Sequence, residues 1–288
     1  MRFLFLFLIF VSAQIHAADY ASTCANFPAP LPGGYCIHKP THHPSRDILY
    51  HLHGKGGSQA DWADRFYYPE QIRQEWKARR YYLPTVISVS FGPIWLLSEQ
   101  NASPYSGLFE KFTRQVMPQL EASLGGLRGR RLVMGESMGG FNTLQLALKT
   151  HLFYKAAALC APVSEVSPFA APEVLQAYAE KSAAFEYYKT SQPNLVFDSV
   201  REAATLAKGF FPTEADYSRG NPLNLARTSR TGTPLYLAAG YYDKYALYEG
   251  TEKLVGVLQS RRWPVEWHAQ WGGHCAMDIP SLARFLVQ

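Results

Sequence analysis

The run Gly135-Glu136-Ser137-Met138-Gly139-Gly140 sets a serine between glycines at the spacing Gly-x-Ser-x-Gly. It directly follows the apolar stretch Arg131-Leu132-Val133-Met134 and precedes residues with helical periodicity. A strand that turns this sharply into a helix has no room for side chains at the flanking positions, and it exposes the serine hydroxyl at the helix N-terminus. A serine hydroxyl is a weak nucleophile at neutral pH. It needs an imidazole to take its proton and a carboxylate to hold that imidazole in one tautomer. Downstream, the run 235–239 leads through Gly240-Tyr241-Tyr242 to Asp243, and the run 265–269 leads through Gln270-Trp271-Gly272-Gly273 to His274. Both candidates follow the C-terminal ends of expected strands, where parallel sheets carry their sites. The order serine, acid, histidine makes Ser137 the candidate nucleophile, Asp243 the acid and His274 the general base. Asp278 lies after the histidine and Glu249 inside a helical pattern, so neither suits that order.

Attack by the serine on a carbonyl creates an oxyanion, which needs backbone donors already in place. Met138, next after the serine, offers one. The second is expected from Leu49-Tyr50-His51-Leu52-His53-Gly54-Lys55-Gly56-Gly57-Ser58, a strand opening into a glycine-rich turn. By position the Lys55 amide is the first candidate, with Gly54 or Gly56 next. The run lacks the Gly-Lys-Ser/Thr of a phosphate-cradling loop. His51 and His53 have no second cluster of ligands beside them, so no metal or cofactor is implied; His53 is expected to shape the oxyanion loop. Aromatic residues crowd the loops at the same edge, and Trp95, Tyr105, Tyr242 and Trp271 are candidate substrate contacts. Such a cleft suits an acyl chain, a phenolic acid or a sugar ring.

These residues need a sheet to hold them. Short apolar runs at 48–52, 85–91, 131–134, 156–160, 235–239 and 265–269 alternate with longer amphipathic patterns at 107–124, 138–148 and 245–259. That alternation predicts an α/β fold with a mainly parallel central sheet flanked by helices. Between 162 and 233 the strand signal disappears and two helices, 172–189 and 198–210, are expected as a cap-like insertion after the strand that follows the nucleophile. At 288 residues, 47% hydrophobic and 18% charged, the chain can bury one sizeable core, so residues 19–288 are read as one catalytic domain.

Residues 1–18 have the layout of a signal peptide: Arg2, an apolar run at 3–11, then small residues, with cleavage expected near Ala17 or Ala18. Nine apolar residues fall short of the roughly 20 that span a bilayer. Loss of this segment removes one of the 28 basic residues and leaves 27 against 23 acidic ones, a net +4, too mild and too scattered to imply nucleic acid. All four cysteines lie beyond the cleavage point, and an even number in an exported chain suggests disulfides. Cys24 with Cys36 would close an N-terminal loop and Cys160 with Cys275 would tie a strand end to the His274 loop, but spacing allows all three pairings. The expected location is periplasmic or extracellular.

Taken together, His53-Gly54-x-Gly-Gly, Gly135-Glu-Ser-Met-Gly-Gly140, Gly240-x-x-Asp243 and Gly272-Gly-His274 resemble the motifs of the putative-esterase family of the α/β-hydrolase superfamily, which includes esterase D, feruloyl esterase and mycolyltransferase-type enzymes. The resemblance runs from about residue 47 onward and is weakest between 162 and 233. It implies an α/β-hydrolase fold and serine esterase chemistry through an acyl-serine intermediate on a small-molecule or glycan-linked ester. It assigns Ser137, Asp243 and His274 as the triad and the amides of Lys55 and Met138 as the oxyanion hole. Many members carry a neutral residue or a histidine just before the serine, where this chain has Glu136; that side chain is expected to pack beside the turn. A serine peptidase or acyltransferase would use the same machinery, and a catalytically inactive binding protein is the remaining alternative.

Overall fold

The computed structural model describes residues 19–65, 67–97 and 106–288; the expected leader at 1–18 and Tyr105 lie outside them. One eight-stranded sheet runs in the order β1-β2-β4-β3-β5-β6-β7-β8. Its strands are β1 Tyr20–Asn26, β2 Gly34–Pro40, β3 Pro44–Leu52, β4 Leu83–Ser90, β5 Arg131–Glu136, β6 Lys155–Leu159, β7 Leu235–Gly240 and β8 Val265–Gln270. From β4 through β8 every neighbouring pair is parallel. These six strands coincide with the six apolar runs.

The other two strands form an antiparallel hairpin that extends the sheet past β4. They left little signal because β1 is an edge strand, with only Tyr20 of its seven residues buried, so it needs no apolar run. Cys24 and Cys36 face each other directly across this hairpin and are joined by a disulfide.

Alternation along each strand divides the core between the two faces. On one face Tyr50, Leu52, Val133 and Leu237 pack with Leu144 of α4 (Met138–Lys149) and Leu254 of α10 (Leu247–Ser260). On the other, Leu49, Met134 and Tyr236 pack with Trp76 of α1 (Tyr68–Ala78) and Phe285 of α11 (Ile279–Val287). The Trp76 indole also donates to the Ala283 carbonyl at 2.8 Å, joining α1 to α11. The helix expected at 107–124 is present in three parts: α2 Leu108–Lys111, a π-helical segment Phe112–Val116, and α3 Met117–Ser123. Pro118 has no N–H for the ordinary i to i−4 bond, which is compatible with a widened turn just before it.

Between β6 and β7 lie five helices: α5 Pro172–Glu180, α6 Ala183–Tyr188, α7 Leu195–Phe210, α8 Glu214–Gly220 and α9 Pro222–Thr228. The expected single helix at 172–189 is interrupted at Ser182, whose hydroxyl accepts the Phe185 amide at 3.1 Å and starts a new helix. Helices α8 and α9 went unread although each carries a start signal. Thr213 and Asp216 form a capping box for α8, and Asn221 accepts the Leu223 amide ahead of Pro222 in α9. Leu175, Val196, Val200 and Ala204 give this segment a small core of its own.

Candidate active site

Ser137 sits between β5 and α4 with φ 52° and ψ −116°, a left-handed conformation that costs a non-glycine residue energy and persists only where its surroundings enforce it. They do so on both sides. The Ser137 amide donates to Leu159 of β6 at 2.8 Å, and its carbonyl accepts the Phe141 amide at 3.0 Å. A Cβ at Gly139 would run into the Leu52 carbonyl of β3, so the motif's second glycine lets α4 press against the sheet. The structure therefore gives the local reason for the Gly-x-Ser-x-Gly pattern.

Asp243 follows β7 and is fully buried. One carboxylate oxygen accepts the Tyr245 amide at 3.0 Å, and the other lies 2.8 Å from Nδ1 of His274. The opposite ring nitrogen, Nε2, is 3.0 Å from Ser137 Oγ. Asp243 thus holds Nδ1–H and leaves Nε2 as an acceptor for the serine proton. Three side chains separated widely in sequence meet in a single line of hydrogen bonds. Asp278 is occupied elsewhere, accepting the Ser281 amide at the start of α11.

The His274 loop is fixed by its neighbours. Tyr241 and Tyr242 donate their amides to Gln270 and Gly272, each at 2.9 Å, which zips the loop after β7 to the loop after β8. Cys275 is disulfide-bonded to Cys160 at the end of β6. Tyr245 also presents an edge-on ring contact to His274, with centroids 4.9 Å apart.

In the glycine-rich loop, amide accounting singles out one donor. Gly54 N–H goes to Glu136 at 2.6 Å, Gly56 N–H to the Pro93 carbonyl at 2.7 Å, and Gly57 N–H to the Gly54 carbonyl at 3.1 Å. Among the described residues, Lys55 N–H is the one left over. Met138, as the first residue of α4, likewise has no intrahelical acceptor for its amide. Lys55, Ser137, Met138 and His274 all border one cavity.

Glu136 is 2% exposed and lies beneath this loop. Its Oε1 accepts from Gly54 N–H and from the Tyr67 hydroxyl at 2.9 Å; its Oε2 accepts from the Tyr68 hydroxyl at 2.6 Å and lies 3.6 Å from His51 Nε2. Burial alone would raise its pKa, but the hydrogen bonds and charge from His51, Tyr68 and Gly54 outweigh it and hold the carboxyl below its ordinary value. His53 is also buried, and burial lowers its pKa. Its Nδ1 meets the Gly54 carbonyl at 2.7 Å, and its Nε2 lies 3.0 Å from the Trp95 indole nitrogen and 2.8 Å from Ser90 Oγ.

The aromatic residues separate into different roles. Trp95, expected at the cleft, is instead fully buried behind the glycine-rich loop, where its backbone N–H points at Met138 Sδ from 3.1 Å. A flat indole with its one donor satisfied by His53 belongs to the loop's support. Trp271 is 78% exposed and stacks on Tyr241, while Tyr242 stacks on Tyr187 with centroids 4.1 Å apart. This aromatic group lies beside the His274 loop and does not border the cavity. The cavity, about 610 Å³, runs from Ser137 beneath the helices between β6 and β7. Its α7 residues, such as Ala203 and Ala207, escaped sequence reading because small residues on a helix face look the same whether they pack or leave space.

The sequence profile of the putative-esterase family matches residues 31–198, more than half of the chain. The chain belongs to the putative-esterase family. It is accordingly a carboxylic-ester hydrolase. The matched span contains the glycine-rich loop and Ser137, while Asp243 and His274 lie beyond it. No curated protein matches the esterase by sequence. Among solved structures, it is similar to a ferulic acid esterase at 14% identity, with 92% of each chain covered and a TM-score of 0.61. The fluorophosphonate-binding serine hydrolase F of Staphylococcus aureus is similar at 16% identity over 94% of this chain and 100% of that one, TM-score 0.59. An S-formylglutathione hydrolase from Agrobacterium tumefaciens is similar at 14% identity over 94% and 98%, TM-score 0.58. At these identities the agreement concerns the fold, and that fold is the α/β-hydrolase fold.

Proposed function

We propose that this esterase-family protein is an exported serine esterase that cleaves carboxylic esters through an acyl-Ser137 intermediate. The observation that carries the reading is the hydrogen-bonded line from Asp243 through His274 to Ser137 Oγ. His274 takes the serine proton as Oγ bonds to the ester carbon, and Asp243 stabilises the imidazolium that results. The oxyanion is received by the amides of Lys55 and Met138. His274 then passes the proton to the departing alcohol as the carbon–oxygen bond breaks. Water, deprotonated by the same imidazole, attacks the acyl-serine and releases the acid. The cycle moves protons only between these groups and requires no cofactor.

Export is supported by the leader-like composition of residues 1–18 and by two disulfides, which persist in oxidising compartments. On this reading the mature catalytic chain is 19–288, and the helices within 162–233 act as a cap over the site. A small-molecule or glycan-linked ester is the proposed substrate. The exposed stack of Trp271, Tyr241, Tyr242 and Tyr187 beside His274 offers a ring or a sugar on the alcohol side a surface to lie on.

The test is hydrolysis of p-nitrophenyl esters by the mature protein and by Ser137→Ala, with fluorophosphonate labelling of both. A fall of about 10⁴ or more with labelling abolished is the expected result. Turnover that survives the substitution overturns the assignment, and cleavage of peptide amides without cleavage of esters replaces it with a peptidase.

A further inference from the structure

The cavity under the inserted helices is walled mainly by apolar side chains. From α7 it is bordered by Val200, Ala203, Ala207 and Phe210, and from the other side by Phe141 and Leu175. The α7 residues recur at intervals of three and four, which puts them on one helix face. In that row the two alanines leave space that a larger side chain would fill.

Four of the polar side chains on the same walls are already engaged, which leaves the hydroxyls of Tyr217 and Tyr245 as the exceptions among the described residues. The Tyr178 hydroxyl donates to the Ala246 carbonyl at 2.8 Å, the Ser164 hydroxyl donates to Val166 at 3.0 Å, and Tyr67 is bound to Glu136. Glu202 forms an ion pair with Lys55. A guest carrying several peptide groups would lose more water than two tyrosine hydroxyls can replace, a penalty of about 1–3 kcal/mol for each group left unpaired. An aliphatic guest incurs no such penalty. The volume of about 610 Å³ falls within the roughly 300–1,000 Å³ typical of small-molecule sites. At about 30 Å³ per water-sized group it holds on the order of twenty such groups.

We infer that this cavity is an acyl-chain chamber and that the alanine face of α7 sets the length of chain it admits. The inference rests on Ser137 being the acylated nucleophile. The alcohol must leave while the acyl group is still attached, so the part of the substrate held beneath α7 throughout the cycle is the acyl chain. The substrate class is therefore an ester of a medium or long aliphatic acid, with room for a chain of up to about twenty carbons in a cavity of this size.

The experiment measures kcat/KM for p-nitrophenyl acetate, butyrate, octanoate and dodecanoate, and for methyl ferulate. The proteins compared are the native chain, Ala203→Phe, Ala207→Phe and Ser137→Ala. Each methylene that leaves water favours binding by up to about fourfold, so kcat/KM is expected to rise at least tenfold from acetate to octanoate. Each phenylalanine variant is expected to lower the octanoate-to-acetate ratio by tenfold or more. A native ratio at or below one overturns the inference, as does a ratio unchanged in both variants, or a preference for methyl ferulate over octanoate. If neither variant folds, as judged by thermal melting, the native chain-length series decides alone. Ser137→Ala keeps the two failures apart: an inactive Ser137→Ala with a flat chain-length series removes only the chamber, whereas an active one removes the catalytic reading beneath it.

Discussion

His53 Nδ1 lies 2.7 Å from the carbonyl oxygen of Gly54, and that carbonyl shares a peptide plane with the amide of Lys55. In a trans peptide the C=O and N–H point in opposite directions, so the bond that anchors one aims the other. The Trp95 indole donates to His53 Nε2 from the far side, which leaves the ring's only proton on Nδ1, facing Gly54. The buried histidine is therefore the aiming device for the Lys55 donor.

Removing this device should impair the chemical step more than binding. His53→Ala is expected to lower kcat by about 10² with KM altered only a few-fold, the pattern of a lost oxyanion donor. Steady-state kinetics on a p-nitrophenyl ester measure it, and a change confined to KM would show that Lys55 N–H is aimed by something else.

Glu136 secures the other half of the same residue through Gly54 N–H. Glu136→Leu strands that amide and two tyrosine hydroxyls in the interior, which should cost about 3 kcal/mol or more of stability. Urea unfolding checks it. Glu136→Gln, which keeps an acceptor, should lose less than half as much.

Asp243→Asn keeps the shape of the side chain but can reverse the tautomer of His274, placing a proton where the Ser137 hydroxyl needs an acceptor. A fall in kcat of about 10⁴ is expected, with thermal stability changed far less than activity.

The two disulfides should contribute unequally. Cys160 and Cys275 are 115 residues apart and Cys24 and Cys36 only 12. In the loop-closure account the first crosslink is worth about 4–5 kcal/mol and the second about 3. Paired Cys→Ala variants compared by urea midpoint test the ranking, and only the Cys160–Cys275 variant should also lower kcat, because Cys275 adjoins His274.

Acid should destabilise the fold through His38 before it protonates most carboxylates. His38 is 1% exposed on β2, and burial, reinforced by His51 and Arg73, lowers its pKa from 6.5 to about 4. The unfolded chain takes up this proton near pH 6.5 while the folded chain resists it. The contribution is thus complete above 6.5 and is lost as pH falls toward 4, by up to about 3 kcal/mol. His53, shifted in the same direction, adds to the effect. Melting temperatures between pH 7 and 4.5 should fall more steeply for the native protein than for His38→Gln.

What could be read from the sequence was what leaves a local pattern. Parallel strands such as β5 and β7 are buried on both faces and must be apolar, and the turn at Ser137 admits only glycine at its tightest contacts, so both show plainly. β1 and α8 showed poorly because an edge strand and a seven-residue helix need little beyond a cap. Trp95 was misplaced because an indole that supports a loop and one that faces a substrate have the same flanking residues. Glu136 was noticed as a departure, but its partners Tyr67 and Tyr68 lie almost seventy residues away and only the fold brings them together.

The five helices between β6 and β7 leave the sheet and return to it at two neighbouring strands. On the proposed reading, the groups that break the bond are thus inherited on strand ends, and the α7 part of the wall that would receive the acyl chain is inherited on a separate, contiguous stretch. If α7 sets the acyl chain as proposed, drift along it can retune what the esterase accepts while Ser137, Asp243 and His274 stay in place. That division lets one scaffold diversify its diet without relearning its chemistry.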